Sequence, residues 1–398
     1  MPGIKDRVAI VGMGCTKFGE LWDKNDQDMM VESCHEAFAD AGIDQKEIQA
    51  AWLGIQGAET GFGGCRLARA LKTDLIPVTR TENYCATGIE AFRGAAYSVA
   101  AGIYDITLAC GAEKLKDSGA TGLTQMGGEP QFSSWVWAPV VAPARFALCA
   151  TRYFHTYGLT PEEGKRMLAM IAVKNHHNGS LNPRAHFQRE VSLEQALNAP
   201  MIAWPLGLFD CCGVSDGSAA AIITTPEIAK RMKDDYILVK ALGISAGSGP
   251  MGVIADDYDY VHVDEVVASG RMAYEEAGIT NPREEVDLAE IHDCFTISEV
   301  LITEDLGYTS RGKYKEDLEA GTFDIGGTVA VNPDGGLKCF GHPIGASGIR
   351  MIFESYLQLR GKAGPRQLKN PRIGVAQNLG GLPGSGGISG MAIVGARD

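Results

Sequence analysis

The sequence predicts an α/β protein built from two duplicated halves, each a sheet covered by helices, with a long insertion in the first half. Three observations predict it. Short β-type runs alternate with apolar residues at helical spacing, the same order of elements occurs twice, and the distance between the copies changes abruptly at one place. Val8-Ala9-Ile10-Val11 is the first β-type run, closed by Gly12. Met29 to Ala41 has helical spacing and is stopped by Gly42, and Ala51-Trp52-Leu53-Gly54-Ile55 follows as a second strand. The order returns with Ile237-Leu238-Val239, the helical stretch Val266 to Ala277 stopped by Gly278, and Asp287-Leu288-Ala289-Glu290-Ile291. Ala41-Gly42-Ile43 and Ala277-Gly278-Ile279 match at an offset of 236.

Later elements repeat as well. Ala86-Thr87-Gly88-Ile89 and Ala346-Ser347-Gly348-Ile349 each open an apolar helical stretch, 260 residues apart. Ile106-Thr107-Leu108-Ala109-Cys110-Gly111 corresponds to Ile373-Gly374-Val375-Ala376-Gln377-Asn378 at 267, and Ser218 to Ile223 corresponds to Ser389 to Val394 at 171. The fall in offset from 267 to 171 puts 96 additional residues between Gly111 and Ser218. We therefore expect a first half at 1–235 carrying an inserted loop domain at about 114–205, and a second half at 236–398. The insertion reads as lid-like, with Trp135, Trp137, His155, His176, His177 and His186.

Composition narrows the function classes. Of 398 residues, 36 are Lys or Arg and 49 are Asp or Glu, a net charge of −13. That balance argues against a nucleic-acid or anionic-membrane surface, which needs clustered positive charge. Ten cysteines are scattered without a C-x-x-C pair, so neither a disulfide framework nor a zinc ribbon is indicated. The N-terminal residues lack the apolar core of a signal peptide and no apolar run is long enough to span a membrane. A reduced, cytoplasmic protein is expected.

Four segments combine reactive side chains with turns. In Glu82-Asn83-Tyr84-Cys85-Ala86-Thr87-Gly88, Cys85 stands at the mouth of a helix, whose unpaired N–H groups favour a thiolate and a lowered pKa; a small residue packed under a turn fits the segment equally. Glu290-Ile291-His292-Asp293-Cys294-Phe295 follows a strand, where sites gather in α/β sheets. His292 and Cys294 are at best half of a metal site, with no pair spaced to complete it. Glycines bracket His342 in Gly341-His342-Pro343-Ile344-Gly345, just before the repeat-mate of the Cys85 helix. Pseudo-twofold symmetry would set Cys85 and His342 face to face as nucleophile and base. Gln377-Asn378-Leu379-Gly380-Gly381 offers backbone N–H donors for an oxyanion. Gly12-Met13-Gly14-Cys15-Thr16-Lys17 lacks the third glycine of a dinucleotide fingerprint, and Cys211-Cys212, His176-His177 and Cys339 read as packing or surface residues.

These residues resemble the thiolase superfamily over nearly the full length, most of all the sterol-carrier-protein-2 type and archaeal acetoacetyl-CoA thiolases. The resemblance rests on His292-Asp293-Cys294-Phe295, Gly341-His342-Pro343, Cys85 before Ala86-Thr87-Gly88, and Asp210-Cys211-Cys212-Gly213-Val214-Ser215-Asp216-Gly217. It implies a five-layer α/β/α/β/α thiolase fold. It implies Cys85 as the acyl-accepting nucleophile, His342 as its base, and Cys294 as the acid/base at the α-carbon. His292 with His342 would hold the enolate oxygen, and the N–H groups of Cys85 and Gly380 a second oxyanion. Many thiolases carry a second cysteine where this chain has Asn378; Cys294 takes that duty in the subfamily with His-Asp-Cys-Phe.

The activity so implied is cleavage of a 3-oxoacyl-CoA by CoA, or the reverse Claisen condensation, with coenzyme A as substrate and neither metal nor resident cofactor. Phe132 to Pro139 suit a lid over a bulky or aromatic acyl group, of the kind handled by benzoylsuccinyl-CoA thiolase, or simply pack the loop domain. A homodimeric core and a small zinc-ribbon/OB-fold partner protein are the expected assembly. A non-catalytic or lipid-binding subunit and a retro-aldolase relative are the other readings. Cys85, Cys294 and His342 together argue against the former, and Cys85 against the latter.

Overall fold

A computed structural model describes residues 3–57, 63–73, 75–118, 142–249 and 257–397. The aromatic segment from Phe132 to Pro139, with Trp135 and Trp137, lies outside them. Ten strands form the main sheet: β1 (Ala9–Cys15), β2 (Ala50–Gly54), β3 (Val78–Thr81), β4 (Ile106–Glu113), β5 (Gly217–Thr224), β6 (Ile237–Ala246), β7 (Leu288–Glu290), β8 (Ala330–Val331), β9 (Ile373–Gly380) and β10 (Ile388–Gly395). Their order is β8-β7-β9-β10-β6-β1-β5-β4-β2-β3. Read outward from the centre, the two halves are the same five strands in the same order. In each, the outer three strands run parallel and the two nearest the centre pair antiparallel. The central strands β1 and β6 join them in the sheet, with Ala9 paired to Leu238 and Ile10 to Ile237.

Helices α1 (Asp26–Ala41), α2 (Thr87–Ala100), α3 (Ala142–Tyr157), α4 (Pro161–Ser180), α5 (Asp264–Ala277), α6 (Thr296–Asp305) and α7 (Ile344–Leu359) build the layers. α2 and α7 pack on each other and on strands of both halves, whereas α1 lies on β1 and β5 and α5 on β6 and β10. The layering is therefore α1, sheet, α2 with α7, sheet, α5. Period-two alternation along β5 sorts its side chains between layers: Ala219, Ala221 and Ile223 join the central core, while Ala220 and Ile222 join the cluster under α1. Glycines permit the closest approaches. A Cβ on Gly12 would lie 2.3 Å from the Ala37 carbonyl oxygen and one on Gly14 2.0 Å from that of Ser33. That pair thus seats α1 on β1.

The helix stops are as expected: Gly42 and Gly278 cap α1 and α5 in the left-handed conformation, at φ 73° and 78°. Between β4 and β5 the insertion contributes α3, α4 and a short hairpin (Met201–Ala203 with Leu206–Gly207). All ten cysteines are free, and no helix among the described residues is long and apolar enough to cross a membrane.

Candidate active site

Cys85 sits on a tight turn between β3 and α2. Tyr84 takes a left-handed φ of 47°, unusual for an aromatic residue, and is held there by three contacts. The Ala86 N–H donates to the Asn83 carbonyl (3.0 Å), the Thr87 N–H to that of Tyr84 (3.0 Å), and the Asn83 N–H to Thr87 Oγ1 (2.8 Å). Gly380, at the end of β9, lies against this turn. A Cβ there would stand 2.2 Å from the Asn83 carbonyl oxygen and 3.2 Å from the Ala86 nitrogen. The Cys85 turn and the Gly380 strand end are thereby packed backbone to backbone.

His342 reaches the same place from the other half, on the turn that enters α7. Its Nε2 is 3.1 Å from Cys85 Sγ, across 257 residues of sequence. Its Nδ1 is 2.7 Å from Ser347 Oγ, and that hydroxyl donates to the Pro343 carbonyl at 2.9 Å. A hydroxyl has one proton. Having given it to Pro343, Ser347 accepts from Nδ1–H, which leaves the lone pair on Nε2 facing the thiol. Gly341 makes the entry possible at φ 120°, where a Cβ would meet Ser215 Oγ at 2.7 Å.

His292 completes the group. Its ring centroid is 5.4 Å from that of His342, nearly perpendicular, and its Nδ1 is 2.8 Å from Asn378 Oδ1. With the amide so oriented, Nδ1–H donates and Nε2 carries a lone pair. The amide nitrogen of Asn378 meets Met351 Sδ at 3.2 Å; turning the amide would exchange the two tautomers. Cys294 is buried beside them, its thiol 4.0 Å from Ser298 Oγ.

Electrostatics make this a site of neutral groups at rest. Burial pushes the Cys85 thiol up, reinforced by Cys212 and Glu113, so the lowering expected from the helix mouth is overridden. Burial likewise pushes Cys294 well up, with Cys212 and Cys85 adding to it. His342 is driven well down by burial, His292 and Arg350, and His292 down to about 4 by burial against the hydrogen bond to Asn378. Both shifts favour a thiol facing a neutral imidazole across the 3.1 Å contact.

Residues 8–227 match the thiolase N-terminal domain family, and residues 251–389 the family described as thiolase C-terminal domain-like. The chain belongs to the thiolase family. Among relatives of this thiolase, the acetyl-CoA acetyltransferase of Methanothermobacter thermautotrophicus is 37% identical over 96% of this chain and 98% of that one. Benzoylsuccinyl-CoA thiolase subunit BbsB of Thauera aromatica is 32% identical over 95% and 96%. Sterol carrier protein 2 of Gallus gallus is 31% identical over 94% of this chain and 70% of its own length. A solved structure named Ltp2-ChsH2(DUF35) aldolase shares the fold at TM-score 0.83 and 24% identity, covering 99% of this chain and 98% of that one. Acetyl-CoA acetyltransferase from Syntrophomonas wolfei does so at 0.68 and 18%, covering 98% and 99%.

The thiolase site also contains residues that sequence reasoning passed over. Cys212, read as packing, lies alongside Cys294: its N–H donates to the Cys294 carbonyl at 2.8 Å, and Cys211 pairs with Phe295. Glu113, buried at the end of β4, accepts from the N–H groups of Gln56, Gly57 and Gly345, tying the β2 loop to the first turn of α7. Asp293 is structural: Oδ1 accepts from the Leu337 N–H and Oδ2 from Asn175 Nδ2 at 2.9 Å, while burial and Glu299 push its carboxyl up to about 7. His176, His177 and Cys339 stay outside the Cys85–His292–His342 group; His177 pairs with Glu190 on the surface.

Proposed function

We propose that this thiolase cleaves a 3-oxoacyl-CoA with CoA, or runs the reverse condensation, through an acyl thioester on Cys85. The observation that carries the reading is the 3.1 Å contact from Cys85 Sγ to a His342 Nε2 whose lone pair is fixed by Ser347. His342 takes the thiol proton as Sγ attacks the 3-oxo carbon, and its new Nε2–H then faces developing negative charge. The C2–C3 bond breaks, Cys294 gives its proton to the α-carbon, and the acyl-CoA that carries this carbon (acetyl-CoA for an unbranched substrate) leaves. The thiol of CoA then attacks the acyl-cysteine, its proton passing to the Cys294 thiolate while His342 returns its proton to the departing Cys85 sulfur, and the chain is back in its starting state. N–H groups of Cys85 and Gly380 serve the tetrahedral oxyanion; the packing of Gly380 on the nucleophile turn supports that assignment. Coenzyme A enters as substrate, and the scheme calls for no resident cofactor.

The test is a panel of 3-oxoacyl-CoAs, with mass detection of the Cys85 peptide. Acylation of Cys85 is expected, and Cys85→Ala is expected to lose activity on the order of 10⁴-fold or more. Cys294→Ala should still accept an acyl group from a simple acyl-CoA yet fail at the C–C step. Retained activity in Cys85→Ala overturns the mechanism.

For the acyl group we favour a bulky or aromatic one, such as benzoylsuccinyl-CoA; the relative named BbsB supports it. A higher kcat/KM on acetoacetyl-CoA than on an aromatic substrate would refute it. The aldolase among the fold neighbours offers a second reading, against which the Cys85–His342 contact speaks. We further propose a cytoplasmic homodimer joined at β3, the half-exposed outermost strand of the first half. A zinc-ribbon/OB-fold partner is proposed on the strength of the neighbour named with DUF35.

A further inference from the structure

Three donor atoms converge in the buried site: Cys85 Sγ and one ring nitrogen each from His292 and His342, all within 4.8 Å of one another. Their residues are 7%, 2% and 1% exposed. A tetrahedral zinc ion with bonds of about 2.0–2.3 Å sets its ligand atoms roughly 3.3–3.7 Å apart. One edge of such a triangle, Cys85 to His342, already measures 3.1 Å, and the others lie within about 1 Å of that range. Small side-chain rotations close the difference.

The surroundings of both imidazoles are those of metal-binding histidines. A ligating histidine donates its second ring N–H to an acceptor, which fixes the tautomer and aims the lone pair. His342 has Ser347 Oγ and His292 has Asn378 Oδ1 in that position. The donor set is two nitrogens and one sulfur with no carboxylate among them, which selects thiophilic ions over magnesium or calcium.

We propose that Cys85, His292 and His342 form an inhibitory site for a thiophilic divalent cation, Zn²⁺, with the fourth position left open. On binding, the S–H bond of Cys85 breaks, an S–Zn bond forms and the proton passes to solvent; no atom changes oxidation state. The ion occupies the nucleophile and the lone pair of its base together, so bound zinc excludes the acyl group.

The test uses the full chain freed of metal by a chelator, and no CoA substrate, so its outcome is independent of the acyl-transfer reading. Zinc in molar excess should slow alkylation of Cys85 by iodoacetamide at least about tenfold, leave the exposed Cys65 unaffected, and be reversed by EDTA. Magnesium should have no effect. Co²⁺ in place of zinc should give a sulfur-to-cobalt charge-transfer band with the intense visible bands of a tetrahedral centre. Cys85→Ser should abolish the charge-transfer band, and His292→Ala, or His292→Gln if the former fails to fold, should weaken binding about 10- to 100-fold. Unchanged Cys85 alkylation under zinc, a charge-transfer band that survives in Cys85→Ser, or binding indifferent to both His292 variants would overturn the proposal.

Discussion

The turns that enter α2 and α7 occupy equivalent positions in the two halves, yet they are built by opposite means. The first presents Cys85 on a left-handed tyrosine, half-exposed, and is closed by its own local hydrogen bonds. The second presents His342 between glycines, and nearly every residue from Val329 to Tyr356 is buried. Its neighbours are held from outside: Asn175 of α4 donates to Asp293 and Glu299, Asn178 to the Asn332 carbonyl, and Asn182 to the Asp334 carbonyl. His186 and Phe187 donate their N–H groups to the Phe340 and Cys339 carbonyls. All five donors come from the insertion in the first half. The two turns are thus alike in position, and among the described residues the hydrogen bonds of the insertion brace the His342 turn, while the Cys85 turn is closed by its own.

The largest test of that asymmetry lies where the first turn of α7 meets the ends of β2 and β4. A Cβ on Gly345 would lie 2.4 Å from the Gly54 carbonyl oxygen and 2.6 Å from that of Ala112, both rigid backbone. Gly345→Ala should cost about 3 kcal/mol or more and fail to give soluble, cooperatively melting protein. At Gly102, left-handed at φ 70° but in open space, alanine should cost only about 1 kcal/mol. Similar melting temperatures for the two variants would contradict a tight seating of α7 on these strand ends.

Next in size is the brace itself. Asn175→Ala removes the amide shared by two buried carboxylates and should lower stability by about 2–3 kcal/mol in denaturant titration. Ser347→Ala should spare the fold but free the His342 tautomer, lowering kcat about 10- to 100-fold. Alkylation of Cys85 at neutral pH should slow in parallel, which a packing defect alone would not produce.

The smallest effect is a dependence on pH. His176 of α4, its Nδ1 3.0 Å from the Arg189 carbonyl oxygen, is pushed down to about 4 by burial and by the Lys338 charge. As pH falls from about 6.5, the unfolded chain takes up a proton that the folded chain refuses, so stability present above that pH is lost down to about pH 4. His176→Gln removes that proton uptake. The stability of wild type relative to the variant should fall by on the order of 2 kcal/mol across this window. A pH-independent difference would show that His176 titrates normally.

Much of this design is written in local patterns. The paired stops at Gly42 and Gly278 mark the duplication because a left-handed cap is nearly reserved for glycine. Cys85, His292, Cys294, His342 and Gly380 stand at strand and helix ends, where sites form in α/β sheets. Edge strands β3 and β8 are only four and two residues long, too short to carry a period. The roles of Ser347, Asn378, Glu113 and Cys212 are not legible in the sequence because they are non-local; each is an ordinary residue until the fold sets it beside its partner. The direction of the Cys85 pKa escaped for a related reason, since a helix mouth is visible in sequence and the burial that outweighs it is not.

The distance along the chain from Cys85 to His342 has a consequence during synthesis. A ribosome adding about 5–20 residues per second needs roughly 10 to 50 s to travel from the codon for the thiol to the codon for its base. Throughout that interval the emerging thiol has no proton acceptor of the right kind beside it. The contact with His342 forms only when the second half closes onto the first. A truncated or half-made chain therefore presents an ordinary thiol, free of the burial that raises its pKa, and the Cys85–His342 contact exists only in a molecule that has been finished.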